Sequence, residues 1–168
     1  MKPFLQTLHS RVVLFDGPMG TEIYNRGIFF NRCYDEINLS KPEMVADIHR
    51  SYLEAGAEVI TTNSFGANAP RLKLHKAEDR VGELNIAAAE LARTATQQHY
   101  EDTGRRAVVA GSMGPTGELF EPMGSLNHEQ TVAVFTAQAA ALAKGGAEMI
   151  WIETMSSTEE VAAALKRL

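Results

Sequence analysis

Ala55-Gly56-Ala57-Glu58-Val59-Ile60-Thr61-Thr62-Asn63 is the stretch that decides the fold. It reads as a helix end, a glycine turn and the opening of a β-branched strand. Its first six residues recur as Gly145-Gly146-Ala147-Glu148-Met149-Ile150, and that copy continues into Trp151-Ile152. Outward from these copies lie two further runs of the same character, Val12-Val13-Leu14-Phe15 and Ala107-Val108-Val109-Ala110. All four are strand-length, and β-branched or aromatic side chains suit a pleated, half-buried surface. Helical patterns separate them. Over 42–55, Val45, Ile48, Tyr52 and Ala55 share a stripe. Ser40-x-x-Glu43 reads there as a capping box, Pro42 sits in the first turn, and Gly56 suits the left-handed terminal position. Residues 79–99 align Val81, Leu84, Ala88 and Leu91; residues 127–144 turn Val134, Ala137 and Ala141 inward, with Phe135 beside them; 158–168 form a last helix. The order β-α-β-α-β-α-β-α, with no hairpin signal, predicts an α/β fold with a parallel sheet of right-handed crossovers.

A four-stranded parallel sheet leaves two apolar edges open. Either loops cover the edges of a doubly wound domain, or the chain is half of an eight-stranded barrel. Strand starts lie just over forty residues apart, so eight such units amount to roughly 350 residues, within the barrel range. The helical run reaching Leu168 also carries no capping residue. The expectation is that 1–168 form the N-terminal half of a (β/α)8 TIM barrel, with the second half absent.

The 168 residues carry 16 Lys+Arg against 21 Asp+Glu, a formal charge of −5, and no basic stripe, which argues against nucleic acid or an anionic membrane as partner. No run is long enough to span a bilayer and no secretory signal opens the chain, so a cytoplasmic setting is expected. Cys33 is the only cysteine, which excludes an intrachain disulfide and a zinc site of local thiolates. His9, His49, His75, His99 and His128 include no pair at i, i+3 or i, i+4. The residues therefore offer no metal site.

Alternation along each run sends side chains to opposite faces. Val13 and Phe15, Ile60, Val109, and Ile150 with Ile152 form an apolar face for helices. The other face ends at the C-terminal tip of every strand in a polar residue: Asp16, Asn63, Ser112 and Glu153. Parallel α/β folds place their chemistry at those tips. In Asp16-Gly17-Pro18-Met19-Gly20-Thr21-Glu22, the glycines allow a tight turn and close approach to a ligand, and Thr21 is placed to cap a short helix. The loop lacks the Lys-Ser/Thr of a P-loop. Thr61-Thr62-Asn63-Ser64-Phe65-Gly66-Ala67-Asn68 and Gly111-Ser112-Met113-Gly114-Pro115-Thr116-Gly117-Glu118 supply short polar side chains at two further strand mouths. Either they orient a ligand or they satisfy local backbone. Glu153 is positioned to hold an ammonium group or act in acid–base chemistry. Cys33 reads as a spectator, and Met44, Met113, Met123 and Met149 as core filler.

Taken in order, Leu14-Phe15-Asp16-Gly17-Pro18-Met19-Gly20-Thr21, Glu54-Ala55-Gly56-Ala57-Glu58-Val59-Ile60-Thr61-Thr62-Asn63-Ser64-Phe65, Val109-Ala110-Gly111-Ser112-Met113-Gly114-Pro115 and Trp151-Ile152-Glu153-Thr154 resemble the homocysteine S-methyltransferase family. The segment 114–121, with Trp151-Ile152-Glu153-Thr154-Met155-Ser156, is most similar to bacterial betaine–homocysteine methyltransferases; the homocysteine module of cobalamin-dependent methionine synthase is similar too. The resemblance implies a barrel that binds homocysteine at its C-terminal face. It further implies a zinc ion, held by three cysteines, that activates the substrate thiol for attack on a methyl donor such as betaine. It assigns Asp16, Gly17, Gly20, Thr21 and Glu153 to the amino-acid end of homocysteine, and places Asn63 and Ser112 at the same mouth. The zinc cysteines of the family lie after strands six and eight, beyond Leu168, and Cys33 matches none of them. The chain alone is thus expected to be inactive. Other readings are a non-catalytic half barrel that pairs with another chain or itself through open sheet edges, and a different barrel enzyme using the Asp16 loop for a phosphate.

Overall fold

The computed structural model describes residues 4–29 and 31–166. A short helix α1 (Phe4–Ser10) leads into a segment beside strand β1 (Val59–Thr61). After that segment come helices α2 (Met19–Asn25), α3 (Ile37–Ser40) and α4 (Pro42–Glu54). Strand β1 is followed by α5 (Ala69–Lys73), a 3-10 turn (Glu78–Arg80) and the long α6 (Val81–Thr103). Then come β2 (Val108–Met113), α7 (His128–Gly145), β3 (Met149–Ile152) and α8 (Thr158–Leu165). The strands form a parallel sheet in the order β1-β2-β3, with Thr61 beside Ala110 and Ser112 beside Trp151. The α/β class and the parallel crossovers expected from the repeated Gly-Ala-Glu motif are both present. Gly56 and Gly146 take the left-handed conformations (φ 106° and 103°) that a tight helix-to-strand turn requires.

The first expected strand is reduced to a single bridge, Phe15 to Val59, beside β1. Its backbone still pairs in register: Leu14 O accepts from Glu58 N and Val59 N at 2.8 and 3.2 Å, and Asp16 N donates to Val59 O at 3.0 Å. The face expected for this run is corrected. Phe15 is not on the helix side; it lies in register with Val59, and its ring centroid is 4.7 Å from that of Trp151.

The helices bury one sheet face. Ile60, Leu53, Ala92, Ala95 and Val109 pack as one cluster, and Met113, Phe135, Leu142, Ala89, Ala163 and Ala164 as another. Three helix readings change. Ser40 does not cap α4: Lys41 is the N-cap and makes no side-chain bond, while Ser40 Oγ turns back to Glu36. Leu53 and His49 join Val45 and Ile48 in the buried stripe. On α7, Ala137 is exposed and the buried face runs through Val132, Phe135, Gln138, Ala139 and Leu142. Here Asn127 and Gln130 form the capping box. The last helix ends at Leu165, and the final two residues of the expected run lie outside the described residues.

Close helix packing depends on Gly145. A Cβ there would stand 2.6 Å from the Ile86 carbonyl oxygen and 2.7 Å from Ala89 Cβ, both on α6. Backbone cannot yield as a side-chain tip can, so Gly145→Ala is expected to destabilise the fold by about 1–3 kcal/mol. Urea denaturation would show this as a lowered midpoint with an unchanged slope.

Candidate functional site

The strand tips open into a cleft of about 430 Å³ lined by Gly17, Gly20, Thr61, Asn63, Ser112 and Glu153 among others. Asp16 is half-buried beside it, directly before the lining residue Gly17 and bonded to the lining residue Thr61. Its carboxylate accepts the Thr61 backbone N–H at 2.7 Å and the Thr61 hydroxyl at 3.0 Å. Burial pushes this carboxyl up to about 6; the Thr61 bonds oppose the rise, and the charge of Glu153 adds to it. Glu153 lines the cleft and lies close enough for its charge to reach Asp16. Glu153 accepts the Ser112 hydroxyl at 2.6 Å.

Ser112 is itself fixed by hydroxyls. Its N–H donates to Thr62 Oγ1 at 3.0 Å, and its carbonyl accepts Ser64 Oγ at 2.8 Å. The loop after β2 and the turn after β3 are tied behind it by Glu160, which is 1% exposed. Its carboxylate accepts Thr116 N at 2.9 Å, Thr116 Oγ1 at 2.6 Å and Ser156 N at 3.1 Å. The turn it fixes includes Thr154 in the left-handed region at φ 56°, directly after Glu153. A β-branched residue is held there only when its surroundings impose it.

Of the residues read from sequence, Gly17, Gly20, Asn63, Ser112 and Glu153 line the cleft, and Asp16 lies beside it, bonded to the lining residue Thr61. Gly17 is needed sterically, because a Cβ would stand 2.8 Å from the Tyr52 ring and hydroxyl. Gly20 has ordinary room, with the Tyr34 ring 3.7 Å from a Cβ. Thr21 is corrected: α2 starts at Met19 behind Pro18, so Thr21 is exposed within the helix, caps nothing and does not line the cleft. The Asn63 amide holds neighbouring chain, donating to Tyr34 O at 2.7 Å and Asn38 Oδ1 at 3.1 Å.

Sequence reading missed Arg32, Tyr34, Asp35, Phe65, Arg71 and His75, which also line the cleft. Asp35 is buried, accepts the Gly66 N–H at 3.2 Å, and is pushed up to about 6 chiefly by burial. Its position follows from the Asn38–Asn63 lock, which no local motif announces. Arg71 and His75 did carry a signal: Asn68 before Ala69-Pro70 is an N-cap, and its Oδ1 accepts Arg71 N at 3.1 Å.

Among the described residues, no three of His, Cys, Asp and Glu converge as metal ligands. Cys33 is half-buried with its thiol 3.8 Å from Asp35 Oδ2. Its environment is thus acidic and the thiol is pushed up, chiefly by burial, the reverse of what a metal thiolate needs. The zinc implied by the resemblance does not fit the residues present. No described helix is long and apolar enough to cross a membrane.

With this geometry in place, the comparisons are specific. The family model for homocysteine S-methyltransferase matches residues 13–168, and the chain belongs to that family. It is 30% identical over 167 residues to methionine synthase of Mycobacterium tuberculosis and 29% identical to that of Mycobacterium leprae, covering 96% of this chain but 14% of each relative. It superposes on the metallated form of the homocysteine methyltransferase MmuM from Escherichia coli with a TM-score of 0.81 at 26% identity, spanning 95% of this chain and 60% of that one. The oxidized form gives 0.82. The parallel βα arrangement is therefore that of part of a TIM barrel, and the chain spans less than two thirds of these relatives.

Asp35 has a thermodynamic consequence. Its folded carboxyl titrates near 6 against an ordinary value of 3.8. Between those values the folded state binds more protons than the unfolded state, so this group's contribution is full below about 4 and is lost as pH rises to about 6. Asp35→Asn removes that titration. Its stability relative to the wild type is expected to rise by on the order of 2 kcal/mol from pH 4 to pH 7. Parallel denaturation curves for the two proteins measure it, and a constant difference across that range rejects the assignment.

Proposed function

We propose that the chain is the homocysteine-binding portion of a homocysteine S-methyltransferase, and that the full barrel transfers a methyl group to the homocysteine thiol to give methionine. The observation that supports it most is the cleft at the strand tips, lined by Glu153, Ser112 and Thr61, with the Asp16 carboxylate bonded to Thr61 and within electrostatic reach of Glu153, in a chain of this family. Two carboxylates recognise an ammonium group well, with Thr61 orienting one and Ser112 the other. The same pair disfavours a phosphate on the Asp16 loop. In this reading Asp16, Gly17 and Gly20 shape the amino-acid end of the pocket, and Asn63 keeps the 34–38 segment over it.

A zinc ion of the family kind would activate the substrate thiol, and the described residues hold no ligand set for it. Nothing in the described residues performs that step, so the 168-residue chain is expected to bind substrate without turnover. The donor is betaine or a related onium compound. The similarity to the mycobacterial methionine synthases over 96% of the chain favours one second reading, a homocysteine module serving a cobalamin-dependent enzyme. The setting proposed is the cytoplasm.

Isothermal titration with L-homocysteine tests the pocket. Asp16→Asn and Glu153→Gln are each expected to weaken binding at least tenfold. Because Asp16 must be ionised to hold an ammonium and titrates near 6, wild-type affinity is expected to fall as pH drops from 7 to 5, and the fall to shrink in Asp16→Asn. Unchanged affinity in both variants would falsify the assignment. Methyl transfer by the isolated chain would overturn the claim of inactivity.

A further inference from the structure

The acidic residues account for one end of the cleft, whereas its basic side chains remain without a role. Arg32, Arg71 and His75 all line it and are exposed. Arg32 and His75, though not Arg71, also line an adjoining cavity of about 660 Å³ that includes neither Ser112 nor Glu153. Arg32 and His75 therefore stand where the two cavities meet. Arg71 leaves the first turn of α5, where Asn68 fixes its backbone, and its guanidinium lies near the loop after β2, with Nη1 3.2 Å from where a Gly117 Cβ would stand.

Arg11, Arg26, Arg50, Arg80 and Arg106 are each paired with a carboxylate, whereas Arg93 and Arg105, away from this cleft, are in no ion pair among the described residues. Among the described residues, Arg32 and Arg71 are in no ion pair and their side chains donate no hydrogen bond. Asp35, the acid nearest Arg71 electrostatically, spends one oxygen on Gly66 N–H and receives the Cys33 thiol on the other. Two guanidiniums and an imidazole thus reach one concave surface from two separate segments with their donors unspent. A guanidinium's fork matches a carboxylate's two oxygens.

We propose that Arg71, assisted by Arg32 and His75, is a carboxylate-binding subsite of this cleft. The inference rests on the methyltransferase reading and deepens it: the carboxylate belongs either to the amino-acid substrate, whose ammonium lies at Asp16 and Glu153, or to a betaine-like donor entering from the second cavity. A dipolar cleft of this kind selects zwitterions over simple amines.

The test compares wild-type chain with Arg71→Gln and Arg71→Lys by calorimetric titration. The probes are L-homocysteine, 3-aminopropane-1-thiol (which lacks the carboxylate), 4-sulfanylbutanoate (which lacks the amine), and glycine betaine against choline. Arg71→Gln is expected to weaken the carboxylate probes tenfold or more and to leave 3-aminopropane-1-thiol and choline within twofold, with partial recovery in Arg71→Lys. Loss confined to homocysteine and 4-sulfanylbutanoate assigns the subsite to the substrate; loss confined to betaine assigns it to the donor. Equal loss on all probes, no loss on any, or no binding of any carboxylate by the wild type overturns the proposal. If the wild type binds the carboxylates with Arg71-dependent affinity but shows no preference for homocysteine over 4-sulfanylbutanoate, the subsite stands and the homocysteine reading fails.

Discussion

The site depends on how β1 and β2 stay joined after their regular ladder ends. Thr62 N still donates to Ala110 O at 2.9 Å. Beyond that point hydroxyls replace backbone groups: Thr62 Oγ1 accepts Ser112 N, Ser64 Oγ donates to Ser112 O, and the two hydroxyls lie 2.6 Å apart. A buried peptide group without a partner costs on the order of 1–3 kcal/mol. The hydroxyls remove that cost while letting the strands separate. The main chain of Ser112 is thereby satisfied, and its side-chain hydroxyl is left to orient Glu153.

The same economy holds the loops above. Glu160 satisfies three donors from two loops, and the Asn63 amide satisfies the chain at Tyr34 and Asn38. Glu160 and the Asn63 amide nitrogen are thus occupied by the protein's own groups. Asp16 and Glu153 differ. Each is oriented by a hydroxyl; Glu153 borders open cleft, and Asp16 lies beside it, its carboxyl raised chiefly by burial and further by the charge of Glu153. A cation near Asp16 would favour its ionised form and oppose the rise that burial imposes.

Strand-borne residues were legible in sequence for a geometric reason. In a parallel sheet the C-terminal tips share one rim whatever the loops do, so alternation was enough to gather Asn63, Ser112 and Glu153; it did not place Asp16, which alternates with Phe15 and is held at the tip of β1 by its bonds to Thr61. It failed at Phe15, where the pairing shrinks to one bridge and parity has no second pair to anchor it. Thr21 and Ser40 were misread for a related reason: capping residues are common, and the helix starts at Met19 and Pro42 are set by Pro18 and Lys41 instead. The cleft residues on connecting segments were invisible, because Arg32, Tyr34 and Asp35 reach the rim only through contacts made far along the chain.

Asp35 shows why such contacts matter for the chemistry. It lies under the loop after β1, with its oxygen on Gly66 N–H, and a Cβ at Gly66 would stand 2.9 Å from that carboxylate. The loop can pass this close only because it is glycine there, and the buried charge in turn fixes the loop that carries Phe65 to the cleft. Phe65 crosses Gly114, whose Cβ would collide with its ring at 2.5 Å. One wall of the pocket is therefore set by two glycines on different loops, each yielding space to a side chain from elsewhere. Substitution at Gly66 or Gly114 would displace the cleft wall before it disturbed the sheet, since the strands beneath are held by independent backbone and hydroxyl bonds.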